Sequence, residues 1–302
     1  MPKASILSPF LFLLVIDFVL KRSLRNGTVG VPWGSQQLCD LDFADDIALL
    51  SQKKDSLQEM TNALSHNALK AGLRINEAKT KTMSIATPDP ACITLNGSQL
   101  EDVSRFPYLG STVSSDGDSA VDVNVRIGKA AGVFRRLNRV WSRNLVNIQT
   151  KIKLYMSIVI PTAIYASETW KCTTNISHRL NVFHQRCLRK IMKISWRDHV
   201  TNESVLRRAK VRQLSNIVAE RRLRLAGHVL RMPGCHHACT ALNWIPAGGR
   251  RRRGRPRITW RSTLRNDLRA MGIEWTDAEA RASDRAEWRR LAALYSERSW
   301  RN

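Results

Sequence analysis

Leu41-Asp42-Phe43-Ala44-Asp45-Asp46-Ile47-Ala48-Leu49-Leu50 sets adjacent aspartates between two apolar, strand-like runs. That pattern predicts a β-hairpin with both carboxylates at its tip, where they can grip divalent metal. Magnesium takes oxygen ligands, typically one or two protein carboxylates plus water and substrate phosphates. A pair of such ions about 3.5–4 Å apart steadies the attacking and leaving oxygens of a nucleotidyl transfer. Alone, the Asp-Asp pair fits an ordinary exposed turn equally well, since Asp populates both. Asp40 and Asp42 read as solvated strand positions.

Working outward, Leu13-Leu14-Val15-Ile16-Asp17-Phe18-Val19-Leu20 reads as a buried helix with one polar position. Leu57, Met60, Ala63, Leu64 and Ala68 recur at helical spacing over 56–71, with Gly72 where a helix-ending glycine belongs. Residues 81–87 and 92–96 read as short strands around Pro88-Asp89-Pro90. Ser114-Ser115-Asp116-Gly117-Asp118 marks a boundary by turn chemistry. Beyond it the periodicity is helical: Val121, Val125, Ile127, Ala131, Phe134 and Leu137, then an apolar stretch over 148–170 interrupted at Pro161, then Leu180, Phe183, Cys187, Ile191 and Ile194. Residues 262–300 read as two small closing helices, with Trp288 and Trp300 as apolar anchors or base-stacking rings. The fold class is α+β.

The net charge of +24 over 302 residues is unevenly placed. Residues 1–118 carry 11 Lys/Arg against 13 Asp/Glu, and residues 119–302 carry 38 against 12. Such a basic half favours a polyanion, because neutralised phosphates release counterions. Nucleic acid is the natural candidate, and an anionic membrane surface the alternative. The apolar opening is interrupted by Ser8-Pro9 and Asp17 and is short for a spanning helix, so no membrane role is expected. Six scattered cysteines suit a reducing compartment, the nucleus or cytoplasm, and not secretion. Cys235-His236-His237-Ala238-Cys239 is too crowded for ordinary zinc-site spacing, so zinc is not expected.

Four motifs in order give the first 111 residues a family likeness. They are Ser5-Ile6-Leu7-Ser8-Pro9-Phe10-Leu11-Phe12, Phe43-Ala44-Asp45-Asp46, Gly72-Leu73-Arg74-Ile75-Asn76 with Lys79-Thr80-Lys81-Thr82, and Phe106-Pro107-Tyr108-Leu109-Gly110-Ser111. The chain resembles the C-terminal part of a LINE-type (non-long-terminal-repeat) retrotransposon reverse transcriptase. The resemblance implies a partial polymerase palm over 1–113, a helical thumb over 119–196, a helical connector over 197–247 and a small basic nucleic-acid-binding tail over 248–302. It implies Asp45 and Asp46 as catalytic carboxylates holding Mg2+ or Mn2+, with Phe43 and Ala44 at the primer terminus or nucleotide. Lys79 and Lys81 would face the triphosphate, and Phe106, Tyr108, Leu109 and Gly110 would support the primer end. Arg126, Lys129, Arg135, Arg136 and Arg139 would contact phosphates of an RNA template and DNA primer or their duplex, and retroelement RNA is a further implied partner.

The basic run Arg250, Arg251, Arg252, Arg253, Arg255 and Arg257 contains Arg253-Gly254-Arg255-Pro256-Arg257, which resembles an AT-hook. A nuclear-localisation signal or an RNA-binding patch has the same composition. The chain also departs from the family. Pro2-Lys3-Ala4-Ser5 replaces the usual Arg-Gln-Gly-Cys, and no stretch matches the first palm strand with its metal-binding aspartate. The expectation is a weak or inactive polymerase without DNA-nicking activity; the alternative is a non-enzymatic nucleic-acid-binding relic.

Overall fold

A computed structural model describes residues 7–24, 30–34, 36–85, 92–244 and 258–298. They fall into two compact units: one runs to Gly117 and includes Asn243 and Trp244, and the other comprises Asp118–Leu242 and the residues from 258 onward. The first unit is mixed α+β, as expected. Its elements are α1 (Leu7–Ser23), β1 (Val31–Trp33), β2 (Gln36–Leu38), β3 (Asp40–Phe43), β4 (Asp46–Leu49), α2 (Lys54–Lys70), β5 (Lys81–Thr82), β6 (Thr94–Leu95), β7 (Ser98–Gln99), β8 (Glu101–Asp102), β9 (Arg105–Tyr108) and β10 (Ser111–Ser114). The described strands pair two by two: β1–β2, β3–β4, β6–β7 and β9–β10 antiparallel, β5–β8 parallel.

Local chemistry sets the ends of these elements. Helix α2 closes as the glycine predicted: Leu73 N–H donates to the Ala68 carbonyl at 2.9 Å and Gly72 N–H to Leu69 at 3.0 Å, with Gly72 at φ +76°. Asn96-Gly97 turns β6 into β7 with both residues at positive φ, the usual chemistry of a two-residue hairpin loop. The strands expected over 81–87 and 92–96 are two residues each, and residues 86–91 lie outside the described ones.

Helix α1 corrects an expectation. It buries Ile16, Val19 and Leu20 against Leu64 and Ala68, yet exposes Leu7, Phe10, Leu11, Leu13, Leu14, Val15 and Phe18. A helix apolar all round needs neighbours all round. Among the described residues, α2 and the inner side chains of β4 cover one side of it.

The second unit is helical: α3 (Ser119–Arg136), α4 (Asn138–Ser142), α5 (Ile148–Leu154), α6 (Ile160–Ala163), α7 (Thr174–Ile191), α8 (Asn202–Ala209), α9 (Leu214–Leu230), α10 (His237–Asn243), α11 (Trp260–Ala270), α12 (Ala278–Ser283) and α13 (Arg285–Arg298). Pro161 donates no hydrogen bond and crowds the carbonyl four residues back. The helix accordingly opens into a π turn over Tyr155–Val159 ahead of it. Leu180, Phe183, Cys187 and Ile191 of α7 are buried at the expected spacing.

Helix α9 belongs to two cores. Leu214 and Val218 pack with α3, α5, α7 and α8, whereas Leu223, Ala226 and Val229 pack with α11, α12 and α13. The stretch read as a helical connector thus includes, in α9, the helix that both apolar clusters of this unit share. Its Arg222 grips Asp267 of α11 at 2.7 Å, and the other Asp267 oxygen accepts the Tyr295 hydroxyl at 3.1 Å. Trp288 is an anchor and not a stacking ring: its buried indole donates to the Leu223 carbonyl at 2.8 Å and lies over Gly227, where any Cβ would overlap it. Trp300 lies outside the described residues.

Candidate functional site

The aspartates sit where the sequence put them. In the β3–β4 hairpin Phe43 pairs with Asp46, and Leu41 with Ala48. Alternation then places Leu41, Phe43, Asp46 and Ala48 on one face and Asp40, Asp42, Ile47 and Leu49 on the other. Ile47 and Leu49 pack against the α1–α2 core, which makes theirs the inner face. Phe43, 64% exposed, and Asp46 look outward. The turn is Ala44-Asp45, with Ala44 at φ +57°. A residue with a Cβ pays roughly 1–2 kcal/mol for that conformation, and such strain persists only where surrounding structure fixes it. On the inner face, burial pushes the Asp40 carboxyl above its ordinary value, and the neighbouring Asp42 charge adds to the shift.

The β9–β10 hairpin is turned by Leu109 and Gly110, at φ +48° and +80°. Tyr108, the residue before that turn, donates its hydroxyl to the Leu41 carbonyl at 3.2 Å. This bond joins two hairpins that are far apart in sequence and brings Phe43, Ala44, Asp45, Asp46 and Tyr108 into one neighbourhood. Burial, then the charges of Asp42 and Asp46, raises the phenol's pKa above its ordinary value, so it stays a protonated donor at neutral pH. Phe106 is half-buried.

The two lysines stand apart from this cluster. Lys81 pairs across the parallel strands with Glu101 at 2.5 Å, and Lys79 is exposed on the turn that follows Asn76. Among the described residues neither is within ion-pair distance of Asp45 or Asp46. Asp45 and Asp46 themselves are hard oxygen donors at an exposed tip, which suits one magnesium or manganese ion. Among the described residues no group of three or more His, Cys, Asp or Glu side chains gathers there or elsewhere. In the crowded Cys/His stretch, the Cys239 thiol donates to the Val229 carbonyl at 3.1 Å, and burial raises its pKa.

In the helical unit, Lys129, Arg135, Arg136 and Arg139 are exposed. Arg126 is not, which corrects its assignment as a phosphate contact. Position 126 shares the inward stripe of α3 with Val123, Ala130 and Phe134. Its guanidinium lies 3.9 Å from Asp122 and 4.2 Å from the centre of the Tyr165 ring. Arg250, Arg251, Arg252, Arg253, Arg255 and Arg257 lie outside the described residues. No described helix is long and apolar enough to cross a membrane.

The first unit thus presents paired carboxylates at one hairpin tip beside the aromatic-bearing turn of another. The family model described as reverse transcriptase (RNA-dependent DNA polymerase) matches residues 1–113. Over 264 residues the chain is 27% identical to a putative uncharacterized transposon-derived protein of Caenorhabditis elegans, covering 84% of this chain and 94% of that one. It is 27% identical to the RNA-directed DNA polymerase from mobile element jockey of Drosophila funebris, over 65% of this chain and 22% of that protein. It is 28% identical to the retrovirus-related Pol polyprotein from type-1 retrotransposable element R2 of Nasonia vitripennis, over 39% and 13%. Residues 1–113 are thus a segment of a reverse transcriptase domain, of the non-long-terminal-repeat retrotransposon type. The chain matches less than a quarter of the length of either named polymerase.

Proposed function

We propose that this chain carries the metal-binding hairpin and primer support of an RNA-directed DNA polymerase, joined to a helical unit that holds the template–primer duplex. The observation that carries this is the Tyr108–Leu41 bond, which docks the 105–114 hairpin onto the one bearing Asp45 and Asp46. In this reading Asp45 and Asp46 hold a divalent ion, which when bound neutralises charge on the transferring phosphoryl group. The outward face of Phe43 supports the primer terminus or the nucleotide base, and the tight turn at Leu109 and Gly110 bears on the primer backbone. Lys129, Arg135, Arg136 and Arg139 neutralise duplex phosphates, and the arginines at 250–257 add sequence-independent affinity.

In this reading primer extension is weak or absent, because among the described residues no third acidic side chain joins Asp45 and Asp46 in a metal-holding group. The same observation favours a second reading, a nucleic-acid-binding protein without catalysis. Magnesium-dependent extension of a DNA primer on an RNA template separates them. Incorporation that falls about a thousandfold in the Asp45→Asn/Asp46→Asn double variant marks a polymerase. Absent incorporation, with salt-sensitive template binding equal or tighter in that variant, marks the binder.

A further inference from the structure

Among the described residues Trp196 is the most exposed tryptophan, 78% in solvent, in the 3-10 turn that follows α7. It is not on a loose loop. Its 3-10 turn is fixed by a capping box in which the Ser195 hydroxyl accepts the Arg197 N–H and Asp198 accepts the Ser195 N–H at 2.7 Å. Left-handed residues bracket the turn, Lys193 at φ +57° and His199 at φ +48°. Arg189 buttresses it from below by donating to the Val200 carbonyl at 2.7 Å. Lys193 ties it to a neighbouring loop, donating to Asn144 at 2.5 Å, and beside Asn144 stands Leu145, 97% exposed.

An indole held rigidly in water gains nothing for this fold, since it buries little apolar surface. What it offers is a flat ring whose ordering cost is already met. The ring's surroundings name the partner. Arg186 and Lys190 on α7, Lys193 in the turn that leads to the ring and Arg197 beside it are exposed, and none has a carboxylate within ion-pair distance among the described residues. Asp198 is the local acid, and its carboxylate is held by the capping box. The Arg197 guanidinium lies 5.5 Å from the Trp196 ring centre. An aromatic face amid uncompensated cations repels a basic partner and offers an acidic protein nothing flat to stack. It suits an unpaired base with phosphates on either side.

We propose that Trp196, with Lys193 and Arg197, is a stacking site for single-stranded nucleic acid. It captures an unpaired nucleotide on the indole while the two cations hold the flanking phosphates. The inference rests on the nucleic-acid-binding part of the proposed function and adds a preference for unpaired strand. No periodicity exposes such a residue in a sequence, because a lone Trp in a turn belongs to no helical or strand repeat.

The test uses the full chain and fluorescence anisotropy with labelled oligonucleotides: single-stranded RNA, single-stranded DNA, and a blunt duplex of equal length. Trp196→Ala weakens single-strand binding about tenfold, from the worth of one base stack, and leaves duplex binding within about twofold. Trp196→Phe keeps most of the single-strand affinity. Arg197→Ala lowers the magnitude of the salt slope for single strands by about one, whereas Trp196→Ala leaves that slope unchanged. Equal weakening for duplex and single strand overturns the proposal, as does no change in Trp196→Ala while the wild type binds both. If the wild type binds no nucleic acid at all, the broader reading falls first. Circular dichroism and self-association of Trp196→Ala are checked beside it. A shift in oligomeric state with unchanged nucleotide binding assigns the ring to a contact between copies and overturns the stacking site.

Discussion

The two units solve the burial problem differently. The helical unit closes two apolar clusters around α9 and answers its interior charges with specific partners. Among the described residues the N-terminal unit distributes its strands among five two-stranded sheets, and α1 leaves seven large apolar side chains in solvent. Two-stranded pairs have little stability of their own. Open strand edges and uncovered apolar surface are places where further contacts can form. The carboxylate hairpin therefore sits in the half with the smaller buried clusters, and the basic half holds the two larger ones.

The largest effect that sharpens this contrast comes from the buried pair in the helical unit. Asp267→Ala leaves the Arg222 guanidinium uncompensated between α9 and α11, where both side chains are almost fully buried. Breaking such a pair costs about 3–5 kcal/mol. Thermal denaturation of the full chain should show the main helical transition moving down by that equivalent. Signals reporting on the hairpins, such as hydrogen exchange in 40–49 and 105–114, should move far less. Equal loss in both units would show that they unfold together.

A smaller effect depends on pH. His184 is buried, its Nδ1 2.9 Å from the Tyr155 hydroxyl and its Nε2 3.1 Å from the Arg212 carbonyl. A carbonyl only accepts, so Nε2 carries the proton and Nδ1 accepts from Tyr155. Burial pushes the imidazole down from an ordinary 6.5 to about 4. The unfolded chain therefore takes up a proton that the folded chain refuses. His184 contributes stability fully above pH 6.5 and loses it progressively as pH falls toward 4, to a total of about 3 kcal/mol. His184→Gln should lower stability at neutral pH yet flatten that part of the acid limb. Urea melts of both proteins at several pH values in the window, read as the difference between their profiles, measure it. Parallel profiles would mean that His184 is not held neutral by burial.

Much of this was legible along the chain because it is written locally. The hairpin shows in apolar alternation around Asp45 and Asp46, the end of α2 in Gly72, the opening of the helix in Pro161, and the α7 core in the spacing of Leu180 to Ile191. What escaped depends on partners distant in sequence. The composition of α1 declares an apolar helix and cannot say that one side is left open. Arg126 reads as a surface cation because nothing nearby announces that Tyr165 will cover it. Residues 197–247 look like a connector because the acid answering Arg222 lies in α11 and the indole answering Gly227 lies in α13. For the site, sequence named Tyr108 from its motif, but only the fold joins it to Leu41.

The smallest predicted effect is the most informative about the hairpin. Ala44 sits in the left-handed region that glycine occupies freely and alanine does not. Ala44→Gly relieves that strain at the turn and also loosens the backbone bearing both carboxylates. If the strain exists only because the turn must be tight, the change stabilises the N-terminal unit by up to about 1 kcal/mol and leaves divalent-ion affinity alone. If alanine is kept there because it fixes the direction of Asp45 and Asp46, protection from hydrogen exchange around 40–49 stays level or rises while manganese binding weakens several-fold. Isothermal titration with manganese, beside exchange rates for the same variant, separates the two. We expect the second result, because a unit this lightly packed has little else to aim its carboxylates with.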